Sequence, residues 1–276
     1  MSKFANKSFT ANTSQESSGG GDRKQVDWAA LNEHVASSVQ EATGCEEGNP
    51  ASVVGIISGV VDLGYHQDEI REEPMVQGGD ANGNKWRADT VAKGKAETFD
   101  QDGTEMFRYQ APERQEVVYF VDIPAATVDK GQFFGDSNPA PYRVMIGGVF
   151  KGVPAQPKKI EGYPNKSNVW VFGDRSYHTT LAKAAGLPDL KEGFAQSRLL
   201  ELIGKPIQVS LEVFVNDAGF LQEKVTKPAK LMAGIPTPDY DEDLLFYVGM
   251  KETDNDATSL KFLTKPVKEY IKAASN

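Results

Sequence analysis

Apolar and polar residues alternate cleanly along residues 207–215. Side chains at 207, 209, 211, 213 and 215 are Ile, Val, Leu, Val and Val, and the polar positions between them end at an aromatic residue, Phe214. A period of two predicts a β-strand with one buried and one solvated face. Asn216 to Gly219 predict a tight turn into a second strand over residues 220–235.

The same patterns predict a helix near the start of the chain. Asp27 is a good N-cap, and Gly44 is a good C-terminal stop. The helical spacing places four apolar side chains on one face, which are Trp28, Leu31, Val35 and Val39. This amphipathic helix needs a surface on which to pack.

Three more apolar runs predict strands. Residues 53–63 predict a mostly buried strand in which Gly55 and Gly59 mark bends or close backbone approach. Residues 114–123 predict a strand that ends at Pro124. Residues 142–150 predict another, with Tyr142 on its apolar side together with Val144, Ile146 and Phe150.

Glycine and proline mark the remaining boundaries. Short helices are predicted over residues 174–185, ended by Gly186, and over 197–203, ended by Gly204. Residues 64–105 carry several glycines and many charges, which predicts long loops or a hairpin.

About five substantial strands, with a helical pair between the third and the fourth, predict a mainly β protein with peripheral helices. The arrangement suits an OB-fold-like five-stranded Greek-key barrel, partly open, with long insertions and terminal helices. The expected division is a flexible N-terminal arm over 1–24, an OB-like domain over 25–236, and an acidic segment with a C-terminal basic helix over 237–276.

Composition limits the function classes. The chain has 276 residues and a formal charge of -9, which excludes a uniformly basic nucleic-acid binder but allows a local basic groove. Cys45 is the single cysteine, so no intramolecular disulfide is possible. We see no apolar run long enough to span a membrane and no signal peptide.

Motifs for catalysis are weak. His34, His66 and His178 have no other His or Cys at metal-ligand spacing. Residues 78–85, GGDANGNK, lack the Gly-Lys-Ser/Thr ending of a phosphate loop. We therefore expect no catalytic residue, no metal and no cofactor, so the protein is not expected to be an enzyme. Its many carboxylates leave a metal-dependent nuclease as an open alternative.

A basic segment with aromatic residues is more informative. Seven basic residues lie between 143 and 183, opposed by Glu161 and Asp174 alone. Cations bind phosphates, and ring faces stack on unpaired bases without reading their sequence. The alternative is that these rings belong to the core and the lysines to an ordinary surface. The candidate contacts in this segment are Tyr142, Arg143, Lys158, Lys159, Tyr163, Lys166, Trp170 and Arg175.

Further candidates lie outside that segment. Phe214 lies on the solvated face of its strand, and Lys224 and Lys227 lie on the partner strand. These lysines either extend the basic groove or protect a sheet edge against aggregation. Arg108 and Tyr109 are additional candidates. The acidic stretch 239–256 has two interpretations, a docking surface for partner proteins and a solvated loop with a short core contact.

The order of four sequence blocks resembles a known family. The blocks are GIISGVVDLG, RQEVVYFVDIP, RLLELIGKPIQVSLEV and DAGFLQEKVTKPAKLMAGIP. They are similar to the OB-fold single-stranded DNA-binding proteins of tailed bacteriophages, over about a third of the chain. The acidic stretch is internal here, whereas several members of that family end in an acidic tail.

The resemblance implies a non-enzymatic protein that binds single-stranded DNA in phage DNA replication or recombination, in the cytoplasm of the infected bacterial host. It implies replication or recombination proteins as partners, which the stretch 239–256 would contact. The alternatives are a virion-associated structural β-domain protein and the nuclease.

Overall fold

A computed structural model describes residues 26–67, 70–75, 81–110, 112–150, 153–249 and 257–274. The predicted arm over 1–24 lies outside the described residues. The helices are α1 (Trp28–Thr43), α2 (Ala81–Ala92), α3 (Gly131–Phe134), α4 (Tyr177–Ala184), α5 (Ala257–Leu260) and α6 (Lys265–Lys272), with 3-10 helices at Gln196–Leu202 and Glu242–Leu244. The strands are β1 (Ala51–His66), β2 (Ile70–Pro74), β3 (Ala96–Gln101), β4 (Thr104–Gln110), β5 (Arg114–Val128), β6 (Ala140–Met145), β7 (Val149–Phe150), β8 (Val153–Pro154), β9 (Lys158–Lys159), β10 (Gly162–Pro164), β11 (Trp170–Phe172), β12 (Phe194–Ala195), β13 (Pro206–Val215), β14 (Leu221–Ala229) and β15 (Phe246–Val248).

The fold is mainly β and is organised around one large sheet. Five strands follow the order β14-β13-β1-β5-β6, while β15 pairs with β1 and β9 pairs with β5. The alternation predicted for residues 207–215 is confirmed, because the apolar positions of β13 are buried up to Val213 and the polar positions are half-buried. The hydrogen-bonded sheet is not closed into a barrel, but its edge strands approach where the Tyr142 hydroxyl donates to Glu223.

Helix α1 is confirmed with both of its caps. The Asp27 carboxylate accepts a hydrogen bond from the backbone N–H of Ala30, and Gly44 adopts a φ of 73°. The helix packs on the sheet through the predicted apolar face. The prediction for Trp28 was wrong, because this first helical residue is 64% exposed and its ring contacts Phe134.

Two glycines of β1 allow the close approach that the sequence predicts. A Cβ on Gly55 would lie 2.4 Å from Cγ1 of Val121. A Cβ on Gly59 would lie 2.3 Å from the ring of Phe246 in β15.

The strand that was predicted to end at Pro124 instead continues to Val128. A register shift between Ile123 and Thr127 accommodates the proline, which has no N–H to donate.

Other predicted boundaries also change. Within residues 64–105, the hairpin alternative holds for β3 and β4, but β2 joins them in a three-stranded sheet around the buried Phe107. The strand predicted over 142–150 is two strands, because Gly147 and Gly148 turn the chain with φ of 92° and 74°. The segment predicted as a helix over 197–203 is a 3-10 helix.

The C-terminal segment covers the outer face of β1 and β5. Phe246, Leu263 and Val267 pack with Val118 and Phe120 of β5 and Met145 of β6 in a second apolar cluster. This face is therefore not available to solvent. Across the described ranges, no helix has both the length and the apolar character needed to cross a membrane.

Candidate nucleic-acid interface

A surface groove of about 570 Å³ lies where β9 pairs with the start of β5. Strand β9 supplies Lys158 and Lys159, β10 supplies Tyr163, and the start of α4 supplies Tyr177. We call this feature the lysine groove and define it by Lys158, Lys159, Glu161, Tyr163, Ser176 and Tyr177.

A buried histidine fixes the walls of the lysine groove. His178 is 2% exposed, and its Nε2 lies 2.9 Å from the backbone carbonyl oxygen of Lys159. Because a carbonyl oxygen only accepts, Nε2 carries the proton and Nδ1 accepts from the Tyr119 hydroxyl at 2.5 Å. Burial lowers the pKa of His178 to about 4, so the ring is neutral at pH 7. The ring therefore joins α4, β5 and β9.

The start of α4 is also set by local sequence. The Ser176 hydroxyl accepts a hydrogen bond from the backbone N–H of Thr179 at 3.1 Å, which makes it an N-cap. The helix thus begins at Tyr177, three residues after the position that the sequence predicted. Tyr177 then lines the groove.

Lys158 is the main electrostatic feature of the groove. Its side chain is half-buried, and burial lowers the pKa of its ammonium group. Nζ lies 4.9 Å from the centroid of the Tyr177 ring, which is a cation–π contact. Among the described residues Lys158 has no ion-pair partner. A half-buried cation without a carboxylate is suited to an anionic ligand.

The other charges of the groove favour anions as well. Glu161 is the acidic residue that lines it, and this carboxylate is paired with Arg114. Lys159 lies on the same strand as Lys158. Because His178 is neutral at pH 7, the positive charge of the groove comes from its lysines. The lysine groove is therefore locally cationic on a chain whose formal charge is -9.

A hairpin made of β10 and β11 projects beside the groove. Its turn is held by Asn165, whose side-chain oxygen accepts from the backbone N–H groups of Ser167 and Val169. Tyr163 is 53% exposed and Trp170 is 56% exposed. Lys166 is exposed in the turn between them. In the hairpin register Tyr163 pairs with Val171 and Trp170 pairs with Pro164, so the two rings lie on opposite faces of the hairpin. Each exposed ring offers a face on which an unpaired base can stack.

Comparisons with known proteins give no relative. No family model, no curated protein and no solved structure matches this chain. The geometry of the groove and the chemistry of its residues are therefore the basis for a functional proposal.

Two predicted contacts lie in the core instead. Tyr142 is 3% exposed, and its hydroxyl donates to Glu223, so it has no ring face for a base. Arg143 makes a bidentate ion pair with the buried Asp122, at 2.7 and 2.8 Å, and donates to the carbonyl of Leu244. Its guanidinium group fixes the C-terminal segment on the sheet and is not offered to phosphates.

Arg108 and Tyr109 are separate from the groove. Both lie on β4 in the small sheet, where Arg108 pairs with Glu72 and Glu97 and covers the ring of Phe99. Tyr109 is half-buried beside Phe107. Because carboxylates already neutralise Arg108, this pair is a weaker candidate for nucleic-acid contact than the lysine groove.

The β13–β14 candidates are not brought to the lysine groove either. Lys224 pairs with Glu212 at 3.1 Å, and its Nζ lies 5.2 Å from the centroid of the Phe214 ring. Lys227 is exposed on β14 with a φ of 51°. None of these three lines the groove. Arg175, by contrast, is exposed directly before Ser176, and it makes no ion pair within the part of the chain that the structure describes.

Sequence reasoning missed Ser176 and Tyr177 as groove residues. Ser176 carries a usable signal, because a serine directly before a helical pattern is a preferred N-cap. Another signal excludes Tyr142, since it shares the strand parity of the buried Val144 and Ile146. Asp122 inside an apolar strand also signals a buried partner, which is Arg143.

The three histidine rings contact backbone carbonyl groups. Each ring lies within hydrogen-bond distance of one backbone carbonyl oxygen. The carbonyl of Asp129 contacts His34, that of Leu63 contacts His66, and that of Lys159 contacts His178. Over the described residues, no group of three or more His, Cys, Asp or Glu side chains is arranged to hold a metal ion.

Proposed function

We infer that this protein is a non-enzymatic, sequence-tolerant single-stranded DNA-binding protein that acts in phage DNA replication or recombination. One observation carries the proposal, the half-buried Lys158 ammonium group, which has no ion pair among the described residues. It lies in a cationic groove that the exposed ring of Tyr163 lines, and the exposed ring of Trp170 lies on the other face of the same hairpin. This combination of charge and ring faces suits a flexible polyanion with unpaired bases.

The topology of the large sheet supports an OB-like fold. Numbered along the chain, the five long strands are β1, β5, β6, β13 and β14, and in the sheet they follow the order third, second, first, fourth, fifth. Helix α4 falls between the third and the fourth. Five long strands in a sheet whose edges approach without closing are compatible with a partly open five-stranded barrel of the OB type. The Tyr142–Glu223 contact joins the third strand to the fifth, where such a barrel closes.

The covered sheet face directs the proposed DNA path. Many OB folds bind oligonucleotides on the face of the second and third strands. Here Phe246, Leu263 and Val267 cover that face. The lysine groove lies at the edge of the second strand, where β9 pairs with Glu116 and Val117 of β5.

In the proposed complex, phosphates bind Lys158, Lys159 and Arg175, with Lys166 at the tip of the hairpin. Bases stack on Tyr163 and Trp170, at roughly 1–3 kcal/mol per stacked base. Ring stacking does not distinguish the bases by hydrogen bonds, so the proposal implies weak sequence preference.

Fluorescence anisotropy of a labelled oligo-dT tests the proposal, in parallel with a duplex and with an RNA of equal length. The expected result is binding of the single strand that weakens steeply between about 50 and about 200 mM salt. The duplex should compete poorly. Absence of single-strand binding at the lower salt would overturn the proposal. Stable homo-oligomers in size exclusion, without DNA affinity, would favour the virion-protein alternative.

A further inference from the structure

A second and larger groove, of about 1050 Å³, lies at the opposite end of β5 from the lysine groove. Helix α3 and the residues after it form one wall, and residues 239–244 with Lys261 and Phe262, between α5 and α6, form the other. We call it the end groove and define it by Phe134, Asp136, Asp239, Tyr240, Asp241 and Phe262. It is unrelated to the proposed DNA path.

The floor of the end groove is internally satisfied. The Asp122 carboxylate accepts hydrogen bonds from Ser58, Arg143 and Tyr240, at 2.6 to 2.8 Å. The charges of Asp122 and Arg143 therefore cancel. A ligand would meet the charges of the walls, not those of the floor.

The walls carry uncompensated negative charge. Asp136, Asp239 and Asp241 make no ion pair with any residue that the structure describes, and all three are exposed. Lys130 and Lys261 also line the groove. Three carboxylates thus face two lysines, and the net negative charge of the walls favours a cation over a polyanion.

An exposed aromatic pair forms the rim. Phe134 is 56% exposed and Trp28 is 64% exposed, and their ring centroids lie 6.4 Å apart in an edge-on arrangement. Large exposed rings beside a groove are typical of the few residues that supply most of the binding energy at protein interfaces.

We propose that the end groove binds a short cationic segment of a partner protein. Its Lys or Arg side chains would pair with Asp136, Asp239 and Asp241, and an apolar or aromatic side chain would pack on Phe134 and Trp28. The complementarity of charge selects this occupant over a nucleic acid. Two of the three carboxylates come from the acidic stretch 239–256, which the sequence singles out as a possible docking surface.

The test uses the full-length protein and three fluorescein-labelled peptides of equal length. One alternates Arg with Phe, one replaces Arg by Glu, and one replaces Phe by Ser. We expect measurable anisotropy changes with the Arg/Phe peptide alone. The double variant Asp136→Asn with Asp239→Asn, and separately Phe134→Ala, should each weaken that binding roughly fivefold or more.

The matched controls are Asp217→Asn and Phe220→Ala. Both residues are exposed, Phe220 at 64%, and neither lines the end groove. They should leave the peptide affinity unchanged. Thermal melting of every variant verifies that the fold is intact.

Three results would overturn the proposal. They are no binding of the Arg/Phe peptide, equal binding of all three peptides, and peptide affinity that is the same in the groove variants as in the controls. Sedimentation velocity measures whether a second copy of this protein occupies the end groove. Self-association that Phe134→Ala abolishes would assign the groove to a homotypic contact. If oligo-dT displaces the peptide, and still does so in the Lys158→Ala variant, the end groove would be assigned to DNA.

Discussion

The ammonium group of Lys158 lies 4.9 Å from the centroid of the Tyr177 ring. The two residues reach this contact from different elements, β9 and α4, and the buried His178 joins those elements. The ring partly compensates a cation that burial has removed from water. A phosphate would compensate it more fully, which is why this contact marks the proposed DNA path.

Trp170→Ala should weaken binding of oligo-dT by roughly 1–3 kcal/mol, because it removes one stacking face. Trp28→Ala is the matched control, since both indoles are more than half exposed but Trp28 lies on α1, at the rim of the end groove. Anisotropy titrations of both variants under identical salt measure the difference. Equal affinities for the two variants would remove Trp170 from the interface.

The pH dependence of DNA binding should depend on Lys158. Burial lowers the pKa of its ammonium group, so this charge is lost at a lower pH than that of an exposed lysine. The affinity of the wild type should therefore fall as the pH rises through that lowered pKa. Lys158→Arg, whose guanidinium stays charged, should keep its affinity over the same alkaline range. Lys272→Arg, on the exposed face of α6, serves as the control and should behave as the wild type does.

Stability should fall with acid because of His178. Its pKa is lowered from 6.5 to about 4 in the folded protein, so the unfolded chain binds a proton first as the pH falls. The free energy of unfolding should decrease by roughly 3 kcal/mol between pH 6.5 and pH 4 on this account.

Urea unfolding across that pH window checks the effect against His178→Gln. The glutamine amide can accept from Tyr119 and donate to the carbonyl of Lys159, but it does not titrate. The variant should show a flatter pH profile. Glu223, whose pKa is raised, contributes equally to both proteins. Parallel profiles would contradict the role assigned to the histidine.

Gly59→Ala should destabilise the protein by about 1–3 kcal/mol, because its Cβ would lie 2.3 Å from the buried ring of Phe246. Gly173→Ala is the control, since the nearest atom to its Cβ, on Tyr163, lies 4.0 Å away. Chemical denaturation of both variants gives the comparison. A Gly59→Ala protein as stable as the control would mean that β15 is not tightly packed on β1.

Local patterns predicted the elements whose two faces differ strongly. The alternation in β13 and the caps of α1 are visible in the sequence because each residue's environment follows from its own strand or helix. The prediction that the strand ends at Pro124 was wrong because the missing N–H of this proline falls at a register shift. That shift depends on the pairing between β5 and β6. No local pattern reveals that pairing.

The candidate site was only partly predictable for a related reason. Charge and aromatic content indicated the segment that forms the lysine groove, but not which cations were already paired. The sequence does not distinguish Arg143 and Arg108 from Arg175. In the structure, however, carboxylates distant along the chain neutralise Arg143 and Arg108. Such pairing is a property of the tertiary structure. The covering of the β5 face by Phe246, Leu263 and Val267 is equally non-local.

The salt dependence of single-strand binding tests the central claim most directly. Logarithmic affinity against logarithmic salt should have a slope that becomes less negative by roughly 0.7 for each phosphate contact removed. The double variant Lys158→Ala with Arg175→Ala should therefore reduce the steepness by about 1.4 relative to the wild type. Lys272→Ala should leave the slope unchanged. Equal slopes for the double variant and the wild type would contradict DNA binding at the lysine groove.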